Sequence, residues 1–238
     1  MSNISEITKK AALAFEQYAF TTPLQRAHFL ETIATNIEAL GDSLLEQANK
    51  ETNLPLSRLT GERGRTCFQL RMFATMLNEG NYVEASIDTA IPTKTPPKPD
   101  IRKMMHPIGP VVVFGASNFP FAYSTAGGDT ASALAVGCSV IVKAHPAHLA
   151  TSNMVAAAIV QAAKATQMPE NIFQHLTDTS FETGIPCPVG LLAFRQQRTH
   201  LGRCRTVPEK SGCRGTHDYR SCRSSPGASK PLRGVLLH

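Results

Sequence analysis

Apolar residues recur every three or four positions over the first part of the chain, then every second position or in short solid runs further on. The first spacing is that of a helix with one buried face, the second that of strands. Ser5 stands where it can cap a helix running through Ala11, Leu13, Ala14 and Phe15. Thr22 followed by Pro23 is a capping residue before a proline at the first helical position. The helix it starts carries Phe29, Leu30, Ile33, Ile37 and Leu40, and Gly41 stops it. A third helix follows Asp42, and a fourth runs through Leu70, Phe73, Ala74 and Leu77 to Gly80.

Between Asn81 and Lys103 the chain turns rich in Pro and Thr, with Pro92, Pro96, Pro97 and Pro99, and reads as an extended surface connection. Beyond it the pattern predicts strands near Met104–His106, at Val111–Phe114, at Ser139–Lys143 and near Ile172–Leu176. Helices are predicted over 122–137 and Leu149–Thr166. Strands alternating with helices specify an α/β fold: N-terminal helices followed by an incomplete, doubly wound parallel sheet. From Ile185 onward neither period is sustained, and only Val189–Phe194 and Val235–Leu237 are hydrophobic runs. Such a segment buries too little apolar surface to offset its ordering entropy.

Charge divides the chain at the same place. Residues 1–184 hold 14 Lys and Arg against 16 Asp and Glu, whereas residues 185–238 hold 10 against 2. The overall net charge of +6 therefore describes the tail alone. Four of the 6 cysteines, Cys187, Cys204, Cys213 and Cys222, lie in that tail as well. Their wide spacing does not match the close pairs of structural zinc sites, so no metal is expected. No apolar run reaches the roughly 18 residues of a membrane span, and the charged N-terminus does not read as a secretory signal. A cytoplasmic protein without membrane attachment is the expectation. The tail has few aromatic residues, which disfavours nucleic acid as a partner.

The stretch PVVVFGASNFP at Pro110–Pro120 carries the most chemical information. A β-branched strand breaks at Gly115 into a small polar loop with Ser117 and Asn118, and Pro120 prevents the strand from continuing. Strand, polar loop and helix in succession is how α/β proteins place functional groups at the carboxyl end of a strand. Asn118 fits two roles there: a side-chain amide aimed at a developing oxyanion, or a turn asparagine bonded to its own backbone. No GxGxxG or GxxxxGK string is present.

That stretch, with Gly127–Thr130, VIVKAHPAH at Val140–His148, ETNLPLSRLTGERGRTCFQLRMFA at Glu51–Ala74 and TSFETG at Thr179–Gly184, resembles the aldehyde dehydrogenase superfamily. It is most similar to the branch that oxidises 2-oxoglutarate semialdehyde (2,5-dioxopentanoate) to 2-oxoglutarate. The resemblance implies that residues 1–184 form part of an NAD(P)-binding domain and that Asn118 supplies the oxyanion amide. It implies that Phe114, Gly115, Ala116, Ser117 and Lys143 line the cofactor cleft and that Phe119 forms a substrate wall. Where many members carry a ribose-binding carboxylate, this chain has Pro146 between His145 and His148, which leaves either NADP or NAD acceptable. Charged, the two histidines would pair with a 2′-phosphate. Arg65, Gln69 and Arg71 share one predicted helix, where a cation would either meet the distal carboxylate of a substrate or form surface ion pairs.

The resemblance ends near Gly184, ahead of the family's catalytic cysteine and general-base glutamate. Glu62 and Glu182 match no base motif, and no tail cysteine matches the nucleophile's context. The expectation is a truncated chain, inactive alone, whose tail 185–238 is irregular and out of frame; an evolved basic tail is the competing reading. A small aldehyde is the expected substrate of the intact family form, and a homo-oligomer is expected only of a full-length form. A different class of function, a non-catalytic module whose basic tail binds nucleic acid or another acidic partner, is the alternative.

Overall fold

Thr22 starts the second helix as its sequence specifies. Its side chain accepts the Gln25 N–H at 3.2 Å, and the Gln25 carboxamide accepts the Thr22 N–H at 2.9 Å. This reciprocal cap satisfies two N–H groups that a helix start leaves without partners. The computed structural model describes residues 4–177 and the strand 192–195. Four helices come first: α1 (Ile4–Tyr18), α2 (Pro23–Ala39), α3 (Gly41–Thr52) and α4 (Leu56–Glu79). Ser5, expected as a cap, lies inside α1. Gly41 takes φ +60° where α3 begins, a conformation that costs glycine little.

The described residues divide into two units, one reaching to Ala85 and resuming at Met104, the other Ser86–Lys103. The smaller unit departs from the sequence expectation. In place of an extended connection it contains an antiparallel pair, β1 (Ser86–Asp88) with β2 (Ile101–Lys103), in the register Ser86↔Lys103. The four prolines fall in the turn between them, where no ladder N–H is needed. The strand expected at Met104–His106 is therefore β2, displaced toward the N-terminus.

The larger unit holds a four-stranded sheet in the order β5-β4-β3-β6. Its strands are β3 (Val111–Phe114), β4 (Val140–Lys143), β5 (Phe173–Leu176) and β6 (Leu192–Arg195), and every pairing is parallel. Helix α5 (Gly128–Val136) links β3 to β4, and α6 (Leu149–Ala165) links β4 to β5. β6 comes from the tail that was expected to be irregular; Leu192–Arg195 adds a strand beside β3. The rest of the tail lies outside the described residues, as do Cys187, Cys204, Cys213 and Cys222.

Alternation along the strands distributes the core. Val111, Val113, Val140, Val142 and Phe173 pack with residues of α2, α4, α5 and α6. Val112, Ile141 and Leu176 face the other way, onto Ala11 and Ile7 of α1. Each fully buried valine or leucine is worth about 1.5–3 kcal/mol, so this alternation fixes the register. Gln174 Nε2 donates to the Ile7 carbonyl at 3.0 Å and Ser139 Oγ to that of Ala11 at 2.8 Å, holding α1 on its face. At the far end of α5 the Tyr18 hydroxyl donates to Leu134 O and Arg26 Nε to Ala135 O, each at 2.8 Å. A buried cation at a helix C-terminus meets unpaired carbonyls and the negative end of the helix dipole.

Candidate functional site

Strand order reverses beside β3: the chain steps outward through β4 and β5, and β6 then takes the opposite side of β3. Ligands of parallel α/β sheets bind beyond the carboxyl ends of strands at such a reversal. The loop Gly115–Asn118 leaves β3 at that end, and Lys143 ends β4 directly opposite Phe114.

Residues after Phe114 fold back on themselves. Gly115 N–H donates to Lys143 O at 3.0 Å, and Ala116 N–H donates to Tyr123 O at 2.8 Å. A Cβ on Gly115 would lie 3.0 Å from Ser124 Oγ and 3.3 Å from His145 N. Smallness here, expected for the sake of a cofactor, is required already by the protein's own packing. The turn continues to Gly127, where a Cβ would overlap the Ala122 carbonyl and approach Ser124 N to 3.0 Å. The helix expected over 122–137 therefore starts only at Gly128, because residues 120–127 are committed to this turn.

Asn118 is exposed at the tip of the loop, and among the described residues its carboxamide makes no hydrogen bond. It does not close the turn on itself, and its carboxamide is left unengaged among the described residues. Its backbone carbonyl accepts Arg58 Nη2 at 2.7 Å. The Arg58 guanidinium also lies over the Phe119 ring, 5.0 Å from its centroid. Phe119 is half-buried and meets Tyr123 edge to face at 5.0 Å, so it is not a core phenylalanine. Arg65 covers Tyr123 in the same manner at 5.3 Å, with Nη2 donating to the hydroxyl at 2.8 Å.

Between the two arginines Glu62 turns inward, 6% exposed, and Oε1 accepts the N–H groups of Phe121 at 2.8 Å and Ala122 at 2.9 Å. Gln69, one more step along α4, packs under Gly128. Arg58, Glu62, Arg65 and Gln69 thus form one helix face at spacings of four, three and four, applied to the loop that carries Asn118. Sequence reasoning singled out Arg65 and Gln69 on this helix, gave Glu62 no catalytic role and did not single out Arg58, although the polar stripe itself was there to be seen. Arg71 points elsewhere and forms a two-bonded ion pair with Glu38 at 2.6 and 2.7 Å. The guanidinium lowers the Glu38 carboxyl pKa.

The second rim is the segment after Lys143. Lys143 and His145 are half-buried, as are Phe114 and Ser117 across from them. His145 Nδ1 accepts the Ala147 N–H at 3.1 Å, which leaves Nε2 as its outward donor. Burial, together with the neighbouring His148 and Lys143, lowers the His145 pKa, so the ring is neutral at pH 7. His148 is wholly buried, with Nε2 2.8 Å from Ala116 O. The expectation that both histidines would meet a phosphate as cations is corrected: His148 is out of reach and braces the β3 loop from beneath.

Beneath this rim, Glu51 at the end of α3 caps α6. Its carboxylate accepts Ala150 N–H at 2.8 Å, Thr151 N–H at 2.8 Å and Thr151 Oγ1 at 2.6 Å. Burial raises its pKa, but these bonds outweigh it and the net shift is downward. Thr125 Oγ1 and Ser152 Oγ share a short hydrogen bond, and Ser152 Oγ lies 3.2 Å from His175 Nε2. Burial pushes the His175 pKa down to about 4.

Neither described cysteine is suited to nucleophilic attack. Cys67 is buried in α4 and pushed up to about 11 by burial first and by Glu38. Cys138 is buried and likewise raised by burial. Among the described residues no three His, Cys, Asp or Glu side chains cluster as a metal site, and no helix is long and apolar enough to cross a membrane.

A parallel sheet with a polar loop at its point of reversal defines an α/β protein of the ligand-binding kind. Over residues 1–186 the sequence matches the aldehyde dehydrogenase family, and the chain belongs to that family. It is 53% identical over 176 residues to alpha-ketoglutaric semialdehyde dehydrogenase 2 of Azospirillum brasilense, covering 74% of this chain and 34% of that one. It is 50% identical over 174 residues to alpha-ketoglutaric semialdehyde dehydrogenase of Acinetobacter baylyi, covering 73% and 33%. The chain thus spans about a third of the length of these curated relatives. Its fold resembles apo betaine aldehyde dehydrogenase of Staphylococcus aureus (TM-score 0.62, 18% identity, 76% of this chain and 34% of that one). It also resembles the glyceraldehyde-3-phosphate dehydrogenase of Methanocaldococcus jannaschii complexed with NADP (TM-score 0.58, 20% identity, 74% and 36%).

Proposed function

We propose that this chain carries the oxyanion amide and part of the dinucleotide cleft for NAD(P)-dependent oxidation of 2-oxoglutarate semialdehyde to 2-oxoglutarate. We propose further that its 238 residues do not complete the reaction by themselves. The observation that carries the reading is the exposed, unengaged carboxamide of Asn118 at the carboxyl end of β3, with the Lys143 ammonium at the end of the adjacent strand. The names and identity of the curated relatives support the substrate.

The residues on the rim fit a dinucleotide. Lys143 offers a cation for ribose hydroxyl or phosphate oxygens, and neutral His145 offers its Nε2–H. The segment Ala144–His148 contains no carboxylate to repel a 2′-phosphate, so NADP and NAD are both admissible. Phe114, Gly115, Ala116 and Ser117 shape the facing wall. Bound there, the nicotinamide would accept hydride from the substrate.

Asn118 would donate from its NH2 to the substrate oxygen as negative charge develops, a contribution of about 3 kcal/mol where such donors have been removed. Phe119 would lie against the carbon chain of the aldehyde. Attack on the aldehyde carbon requires a thiolate, and burial keeps Cys67 and Cys138 from that role. Their free thiols fit the reducing cytoplasm, where we place the protein.

The test is absorbance at 340 nm with 2-oxoglutarate semialdehyde and either dinucleotide. No reduced dinucleotide is expected from the purified chain; sustained turnover that a thiol reagent stops would overturn the reading.

A further inference from the structure

Arg71 is occupied by Glu38. Arg58 and Arg65 are exposed, and neither is in an ion pair among the described residues. We infer that these two guanidiniums form a carboxylate-binding rim beside Asn118 that takes the 2-oxo-acid end of the substrate while Asn118 faces its aldehyde. The inference rests on the function proposed above and names the contacts that would select that substrate.

Each arginine has both an aromatic ring beneath it and a hydrogen-bond acceptor. Arg58 lies on Phe119 and is tied to Asn118 O; Arg65 lies on Tyr123 and is tied to its hydroxyl. Because the rings meet edge to face, the four side chains make one continuous ridge. A guanidinium has five donors in a rigid fork, and one from each is engaged among the described residues. The others remain for a carboxylate, which matches the fork in two-point geometry. Stacking lowers the entropy lost on binding, since the side chains are already ordered.

Glu62 is the acid on the same face and its charge opposes a bound anion. Its Oε1 is turned inward to Phe121 and Ala122 and the side chain is buried, so the exposed part of the face is cationic. Arg58 bonds to the carbonyl of the residue whose carboxamide would be the oxyanion donor, so the two ends of a short substrate would meet neighbouring groups. A neutral aldehyde of the same length would gain nothing from this rim, which is where selectivity would arise.

The probe is 2-oxopentanoate, which keeps the 2-oxo-acid end and replaces the aldehyde by a methyl group. Its binding to the 238-residue chain is read by saturation-transfer NMR, with 2-pentanone as the uncharged competitor. Saturable binding is expected, weakened about tenfold by Arg58→Gln and by Arg65→Gln, unchanged by Arg71→Gln and not displaced by 2-pentanone. Arg58→Lys retains the charge without the fork and is expected to recover only part of the loss, which separates recognition from mere attraction. Absence of saturable binding, or binding that survives both glutamine variants, would overturn the rim. Dinucleotide titration of the same samples separates the two claims: binding of dinucleotide without 2-oxopentanoate defeats the rim alone, whereas loss of both defeats the functional reading.

Discussion

Glu62 Oε1 accepts the backbone N–H of Phe121 at 2.8 Å, joining the N-terminal part of α4 to the turn that follows Asn118. The same oxygen takes the Ala122 N–H, while Oε2 is buried without a partner among the described residues. Glu62→Ala leaves two buried N–H groups unpaired, at a cost of about 3 kcal/mol. Glu62→Gln keeps the accepting oxygen and puts its NH2 where Oε2 now has no bond, so less than about 1 kcal/mol should be lost. Urea unfolding of the two variants checks the difference; equal losses would show that the carboxylate's charge, rather than its geometry, holds the turn.

Gly127 and Gly128 should respond differently to the same substitution. A Cβ on Gly127 meets backbone, the carbonyl carbon of Ala122 at 2.8 Å and Ser124 N at 3.0 Å. A Cβ on Gly128 meets the Gln69 carboxamide at 2.9 Å, the movable end of a side chain. Gly127→Ala is expected to cost about 2 kcal/mol or more, and Gly128→Ala clearly less. Thermal unfolding of both ranks them, and the reverse order would contradict the turn described here.

Stability should fall as pH drops from about 6.5 toward 4 on account of His175, whose folded pKa is depressed to about 4 by burial. In that window the unfolded chain binds a proton that the folded chain excludes, so unfolding becomes easier with acid. The loss is on the order of 2 kcal/mol after allowance for partial solvent exposure, complete near the folded pKa and absent above the unfolded value. His145, also shifted downward, adds in the same direction. Glu51, whose pKa is likewise lowered, loses its contribution only at lower pH, as carboxylates protonate. Denaturation midpoints from pH 7.5 to 4.5 for the wild type and His175→Gln should converge toward low pH; parallel curves would exclude the histidine.

Local chemistry was legible in the sequence, and distant partnership was not. Thr22 and Pro23 announced α2, and the β-branched runs announced β3 and β4 to within a residue, because caps and alternation act between neighbours. The places of Asn118, in the loop after β3, and of Lys143, at the end of β4, were legible for a similar reason, since each lies at or just beyond a recognisable strand. The late start of α5 could not be read, because the turn before it is held by Glu62, a residue of another helix. β6 was visible only as a hydrophobic run in a segment without periodicity, since its place beside β3 is set by parallel pairing with a strand far back in the sequence. The β1–β2 pair hid behind its prolines, which sit in the turn rather than in the strands. His148 read as a loop histidine because nothing local shows that Ala116 O waits above it.

The most direct measurement is equilibrium binding of NADP and NAD to the purified chain and to Lys143→Ala. Saturable binding of a dinucleotide, weakened about tenfold (about 1.4 kcal/mol) by loss of the ammonium, is the result expected of a family cofactor cleft at the ends of β3 and β4. No binding, or binding indifferent to Lys143, would contradict it.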